Sequence, residues 1–526
     1  MRRLEPALPR GLLVIQLDGV SIQALRRGLR RGPMPAVSEL IHRRSHELVG
    51  WRAGAPAQTS SSQAAIMYGD DFDIPSFRWY EKERGRLMVS NHPGDAAEID
   101  RRARRNGGLL AHNGSSIGNL VSGGAPRSML TMGTITSEVR GTELYRLLLD
   151  PRFMGPEIVK MAREFALEVG QGTRQKVRGT RPRVARGGSF PFLRAISNVL
   201  VRDLTTRIVR TDLSATVPAI YATYVGYDVV AHHAGPFSGD ALRVLGDLDR
   251  EVLRLIRASR RSRRTYDVVL LSDHGQTPGT TFRKRFGLRL EDLVRRLAAG
   301  RSVSTGGGTT ETWGYLNQIL SGAVQGESRG ARRARRALAP RLRDGYVEIG
   351  PDRYSARSEK SQVIVANSGN LAHVYLARLP GRLSLGEVRA AVPGLVEGLV
   401  DHAGIDFVMG RHPDGGGLVI GKRGIHDLTS GHIEGEDPLE KFGPGAAASL
   451  RRLNEFPHAG DLVLNSRFDP ANETVAAFED MVGSHGGLGG PQNDPFLLVP
   501  RAWEVADVKA GGRAIHDLLA AHAPEE

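Results

Sequence analysis

Three short, largely apolar runs, each followed closely by an aspartate, constrain this chain more than any other feature. Residues 11–17 read GLLVIQL and end at Asp18-Gly19; Tyr221–Val225 leads to Asp228; Val268–Leu271 leads through Ser272 to Asp273-His274-Gly275. A strand that is apolar at nearly every position is buried on both faces, as in a parallel sheet covered by helices. Helical patterns follow through Leu25 and Leu29, over Pro35 to His42 and over 239–258, with a further short strand near Leu48–Trp51. The alternation predicts an α/β fold, a mostly parallel central sheet between helices. Functional groups in such sheets gather at the carboxyl ends of strands. Asp18, Asp228 and Asp273 therefore point to one shared site.

The intervening stretches are less regular. Residues 99–127 and 170–190 are rich in Arg and Gly and read as exposed loops, and 301–345 as a surface excursion. Strand-like pieces at Gln362–Ala366 and Ala372–Ala377, with a helix near 384–399, suggest a smaller α+β insertion leaning over the main sheet. The chain is expected to return to that sheet with Asp461–Leu464 and Phe496–Val499. This places a catalytic core in 1–280 and 461–526, and a cap over the substrate pocket in 281–460.

The chain has no cysteine, so any metal must be held by His, Asp, Glu or hydroxyl oxygens. Its net charge of +15 favours anionic partners, whether nucleic acid, nucleotides or an acidic membrane surface. No helix-turn-helix, RNP-type motif or zinc finger is visible, and aromatic residues, at 6%, are too few for an evident base-stacking platform. Clusters such as Arg101–Arg105, Arg260–Arg264 and Arg332–Arg336 read as solvated faces. With no signal sequence and no apolar stretch of about 20 residues, the expectation is a soluble, cytoplasmic protein, peripheral at most to a membrane.

The chemistry-bearing residues fall into five short motifs. Asp18 follows the first strand. Thr59, in PAQTSSSQAAIMYG, stands where a hydroxyl caps a helix or meets a phosphate at its N-terminus. Asp228 and His232, four residues apart in YDVVAHHAG, share one side of a helical turn, while His233 points elsewhere. Asp273 and His274 are consecutive ligand types at a strand end. His485 lies in GSHGGLGG, where a histidine has little to pack against.

In this order the motifs resemble those of the alkaline phosphatase superfamily, in its type I phosphodiesterase/nucleotide pyrophosphatase branch, with Gly69 ten residues after the nucleophile position. The resemblance implies an alkaline-phosphatase-like three-layer sandwich. It also implies two divalent ions, zinc or else manganese. One would be held by Asp18, Asp273, His274 and the Thr59 oxygen, the other by Asp228, His232 and His485. Such a pair stabilises the attacking and leaving oxygens of an in-line displacement, with Thr59 as nucleophile and a phospho-threonine as intermediate. Animal-type members carry an asparagine after the nucleophile helix, but PSFRWY at Pro75–Tyr80 has none. Arg78, or Asn113 in AHNGSSIGN, is expected to supply that phosphate donor. The sulfatase signature, Cys or Ser with Pro and Arg, is missing after Thr59. The expected function is a metal-dependent phosphodiesterase. The alternatives are a phosphomonoesterase of the same superfamily and a non-catalytic relative binding anionic lipid or nucleotide.

Overall fold

The computed structural model describes residues 8–524, apart from 105–106, 135–147, 149, 299, 307–315, 318–319, 322–323, 325–328, 344–345, 348–360, 506–507 and 509–510. The strand Gly11–Leu17 is buried at all seven positions and lies at the centre of a seven-stranded sheet. From edge to edge the order is His46–Gly50, Phe496–Pro500, Tyr266–Leu271, Gly11–Leu17, Ala219–Tyr224, Ser115–Ile117 and Arg127–Met129. Only Phe496–Pro500 runs antiparallel, pairing with strands on both sides. Side chains of successive strand residues point to opposite faces. Leu13, Ile15, Leu17, Ile220 and Leu270 enter one core. Leu12, Val14, Tyr221, Val269 and Leu271 enter the other.

Helices cover both faces. On the first lie Ile22–Arg31, Pro35–His42, Arg202–Ser214 and Gly239–Ser259. Two of these begin with a serine, Ser21 and Ser238, whose side chain accepts a backbone N–H of the first turn, as N-caps do. On the second lie Thr59–Tyr68 and Gly512–Ala520. All ten residues of Thr59–Tyr68 are buried, and the helix stops at Gly69, whose φ of 74° is left-handed. The three-layer α/β/α arrangement agrees with the sequence expectation.

A second, mostly antiparallel sheet of eight strands runs in the order Val303–Gly306, Val363–Ser368, Leu371–Leu376, Leu462–Ser466, Ile405–Arg411, Gly417–Gly421, Gly424–Asp427 and Ile433–Gly435. Three sequence expectations are corrected here. Leu462–Ser466 does not rejoin the central sheet; it pairs with Leu371–Leu376 and Ile405–Arg411 inside the second. Residues 99–127 are not an exposed loop, because Ser115–Ile117 is a buried central-sheet strand. Residues 170–177 belong to the long helix Pro151–Val177 despite their glycines.

A four-stranded sheet links the two halves of the site. Thr277–Thr281, just after His274, lies between Thr474–Ala477 and Gly483–Ser484, just before His485. Ser484 pairs with Thr277, so this short ladder brings the last histidine to the end of the central sheet.

Candidate active site

Asp18, Asp228 and Asp273 emerge at the carboxyl ends of three adjacent parallel strands, and all three are essentially fully buried. Asp228 and His232 lie on the helix Gly226–Ala234, with His232 Nε2 2.9 Å from Asp228 Oδ2. His274 Nε2 lies 3.6 Å from Asp18 Oδ1 and 3.5 Å from Asp273 Oδ2. His485 Nε2 is 3.9 Å from Asp228 Oδ1, and its ring stacks on that of His274 with centroids 3.8 Å apart. Thr59, the first residue of its helix, places Oγ1 3.0 Å from His274 Nε2.

The three imidazoles are oriented alike. His232 Nδ1 faces the carbonyl of Gly483 at 2.7 Å, His485 Nδ1 that of Ala57 at 2.9 Å, and His274 Nδ1 that of Gly275 at 3.0 Å. A carbonyl only accepts, so each Nδ1 carries the proton; His274 and His485 then turn an Nε2 lone pair inward, whereas His232 Nε2 faces the Asp228 carboxylate. This is the outer-shell arrangement that prepares histidine as a metal ligand. The Thr59 hydroxyl accordingly donates to His274 Nε2.

Burial works with this geometry. It pushes the His485 imidazole down to about 3, with His274 adding to the effect, and it lowers His274. Burial also opposes ionisation of Asp228, but the histidines, His232 foremost, outweigh it and hold this carboxyl well below its usual range. Asp273, buried and beside Asp228, rises to about 6. Asp273 Oδ2 is buried and accepts no hydrogen bond. Two groups of potential ligand atoms, Asp18/Asp273/His274 and Asp228/His274/His485, each lie within 4.8 Å of one another. Three buried carboxylates among three imidazoles form a set of donor atoms that bound cations would suit.

Every metal-ligand residue expected from the sequence is thus brought together with Thr59. Arg78 is buried at the edge of a cavity of about 290 Å³ that reaches His232 and His485. Its Nη1 donates to Glu479 at 2.9 Å and to the carbonyl of Asn367 at 3.1 Å. Asn113 does not join the site. It is exposed and precedes Ser115, which lies level with Ile220 and so with Leu13. That is the amino end of the parallel strands, opposite Asp18.

The sequence reading missed two residues. Gln276 donates through Nε2 to the carboxylate and the carbonyl of Asp228; its place in the DHGQ tip is the signal it carried. Gly19, at φ 71°, has the Asp228 carboxylate where a Cβ would stand, so only glycine lets the two strand ends close.

The sheet and the donor set at its carboxyl end define a phosphate-ester hydrolase of the metal-dependent kind. The family model for type I phosphodiesterase/nucleotide pyrophosphatase matches residues 12–425, well over half of the chain, and the chain belongs to that family. Among solved structures it resembles phosphonoacetate hydrolase from Sinorhizobium meliloti, at 15% identity and TM-score 0.47, over 98% of this chain and 96% of that one. It also resembles murine ectonucleotide pyrophosphatase/phosphodiesterase 5, at 10% identity and TM-score 0.45, over 98% and 95%. A third is alkaline phosphatase PafA, at 11% identity and TM-score 0.46, over 94% and 92%. Comparison with curated protein sequences returns no significant match.

Proposed function

We propose that the chain is a phosphodiesterase that works through a phospho-threonine on Thr59, with two divalent ions, zinc by preference, in the site. The observation that carries this reading is the 3.0 Å contact of Thr59 Oγ1 with His274 Nε2, which sets the hydroxyl among the ligand atoms. Asp18, Asp273, His274 and Thr59 would hold one ion, and Asp228, His232 and His485 the other. Bound there, the ions would offset the three carboxylates, ease deprotonation of the threonine hydroxyl and favour charge on the leaving oxygen.

The chain's own groups do the rest. Thr59 Oγ1 attacks phosphorus and the ester bond to the leaving oxygen breaks, that oxygen departing with a proton. Water then cleaves the bond between phosphorus and Thr59 Oγ1, releasing phosphate monoester and restoring the hydroxyl. The backbone N–H groups opening the helix Thr59–Tyr68 present its positive end to the phosphoryl oxygens. Arg78 at the cavity edge is already paired with Glu479, so the positive charge it offers is partly spent. That suits the single negative charge of a diester over the dianion of a monoester.

The test is turnover of a chromogenic phosphodiester and its matching monoester with added zinc or manganese, and again with chelator. Chelator-sensitive preference for the diester is expected. Preference for the monoester would replace this reading with a phosphatase in which Arg78 clamps the dianion.

A further inference from the structure

The helix Pro151–Val177 carries an exposed face that the catalytic reading does not use. Ten large hydrophobic residues are exposed among the described residues, and six of them fall between 158 and 192: Ile158, Val159, Phe165, Val169, Val177 and Phe192. Val177 is 80% exposed and Val159 70%. Five of the six lie on the one helix. At 100° per residue, Ile158, Val159, Phe165, Val169 and Val177 fall within an arc of roughly 120°, with Ala162 and Ala166 between them.

Charge on this helix is sorted as sharply. Its three glutamates are turned inward and paired: Glu157 with Lys160 at 2.8 Å, Glu164 with Arg194 at 2.7 Å and Glu168 with Arg186 at 2.7 Å. Arg163, Arg174, Lys176 and Arg178 are exposed and make no ion pair with a carboxylate among the described residues. Between 151 and 189 the solvent-facing surface is therefore apolar and cationic. Beside it opens a cleft of about 570 Å³, lined by Phe165, Val169 and Pro191 and also by Lys176, Arg183 and Lys284.

We infer that this face docks on an anionic lipid surface, the apolar arc entering the headgroup boundary and the flanking cations meeting lipid phosphates. A second copy of the chain suits the face poorly. A two-fold contact sets a patch against itself and would oppose these cations to one another. The carboxylates that could relieve them are already engaged inside.

The test is co-sedimentation of the full chain with vesicles of phosphatidylcholine alone, and of phosphatidylcholine doped with phosphatidylglycerol. Pelleting only with the anionic vesicles, weakened by salt, is expected. Arg163→Glu with Arg174→Glu should lower partition by about tenfold or more, and Val159→Glu with Phe165→Glu should abolish it, both leaving turnover of a soluble ester intact. The chain has no cysteine, so Val169→Cys gives a single labelling site that needs no disruptive change. A polarity-sensitive dye there should shift to the blue on anionic vesicles. No pelleting with anionic vesicles at low salt, no dye shift, or a dimer that Val159→Glu/Phe165→Glu splits would each overturn the inference.

Discussion

Two histidine–carboxylate clusters in this molecule look alike in composition and differ in state. In the central one, three imidazoles give Nδ1–H to backbone carbonyls and point Nε2 toward the carboxylates and Thr59. In the other, His458 lies beneath the second sheet with Asp73 at Nδ1, Glu83 at Nε2 and Glu81 close by. Burial lowers both His485 and His458, but the carboxylates reverse it for His458, beginning with the Asp73 hydrogen bond, and raise it to about 9. In His274 and His485 a carbonyl partner at Nδ1 leaves Nε2 with a lone pair to give. Two carboxylate partners make both nitrogens donors, and the ring becomes a cation with none. Glu81, Glu83 and His458 also lie close enough to surround an ion, yet here the His458 imidazolium and Arg102, paired with Glu81 at 2.8 Å, already supply positive charge. Proximity of ligand types alone does not distinguish the two clusters; the partners of the ring nitrogens do.

The contrast can be broken by mutation. Thr59→Ala should lower turnover by a factor on the order of 10⁴–10⁶, as loss of a nucleophile does, while metal content stays nearly unchanged. Activity close to that of the parent would remove Thr59 as nucleophile. Next in size, Asp273→Ala or His274→Ala should release bound metal measured by elemental analysis, whereas His458→Gln should leave the stoichiometry as it was. Metal lost on changing His458 would dissolve the distinction between the clusters. Gln276→Ala, which removes only a donor to Asp228, should weaken metal affinity by about 10–100-fold; an unaltered chelator titration would show that Asp228 needs no such support.

The smallest effect is on stability against pH. The His458 imidazole is raised above its unfolded value of 6.5 to about 9, so the folded state holds the proton more tightly. Its contribution is therefore complete below pH 6.5 and fades as pH rises through about 9. The parent's Tm should fall over that window more than that of His458→Gln. Parallel curves would mean that His458 is not held as an ion pair.

The central site was legible because its candidate ligands follow strands that are apolar at nearly every position. A run such as GLLVIQL announces a doubly covered strand, and an aspartate at its end is set apart from any packing role. What the run does not carry is the identity of its neighbour. LVLNS at Leu462–Ser466 is as apolar as a central strand but pairs in the second sheet, because either sheet could bury it. Ser115–Ile117 escaped notice for the opposite reason. Three residues, two of them serines, show no hydrophobic pattern; Ser115 is held instead by its bond to Asp212, and Ser116 by Asn119 and Thr131. Asn113 was misplaced with it, since the end of the sheet that a loop occupies depends on recognising the strand. The carbonyls of Ala57, Gly275 and Gly483, which set the tautomers, belong to the backbone and leave no trace in residue type.

The insertion of Phe496–Pro500 between His46–Gly50 and Tyr266–Leu271 has a consequence for biosynthesis. As the nascent chain leaves the ribosome, Asp18 and Thr59 appear early, yet His46–Gly50 has no neighbour in the central sheet until residue 500 has emerged. His485, the last of the candidate ligands, arrives only some 15 residues before that point, a spacing of about 50 Å when extended. On the proposed reading, binding of metal by the whole set would wait for the segment that carries His485 and Phe496–Pro500. On that reading, a product terminated before His485 would carry Thr59 without the full set of ligands and would be inert.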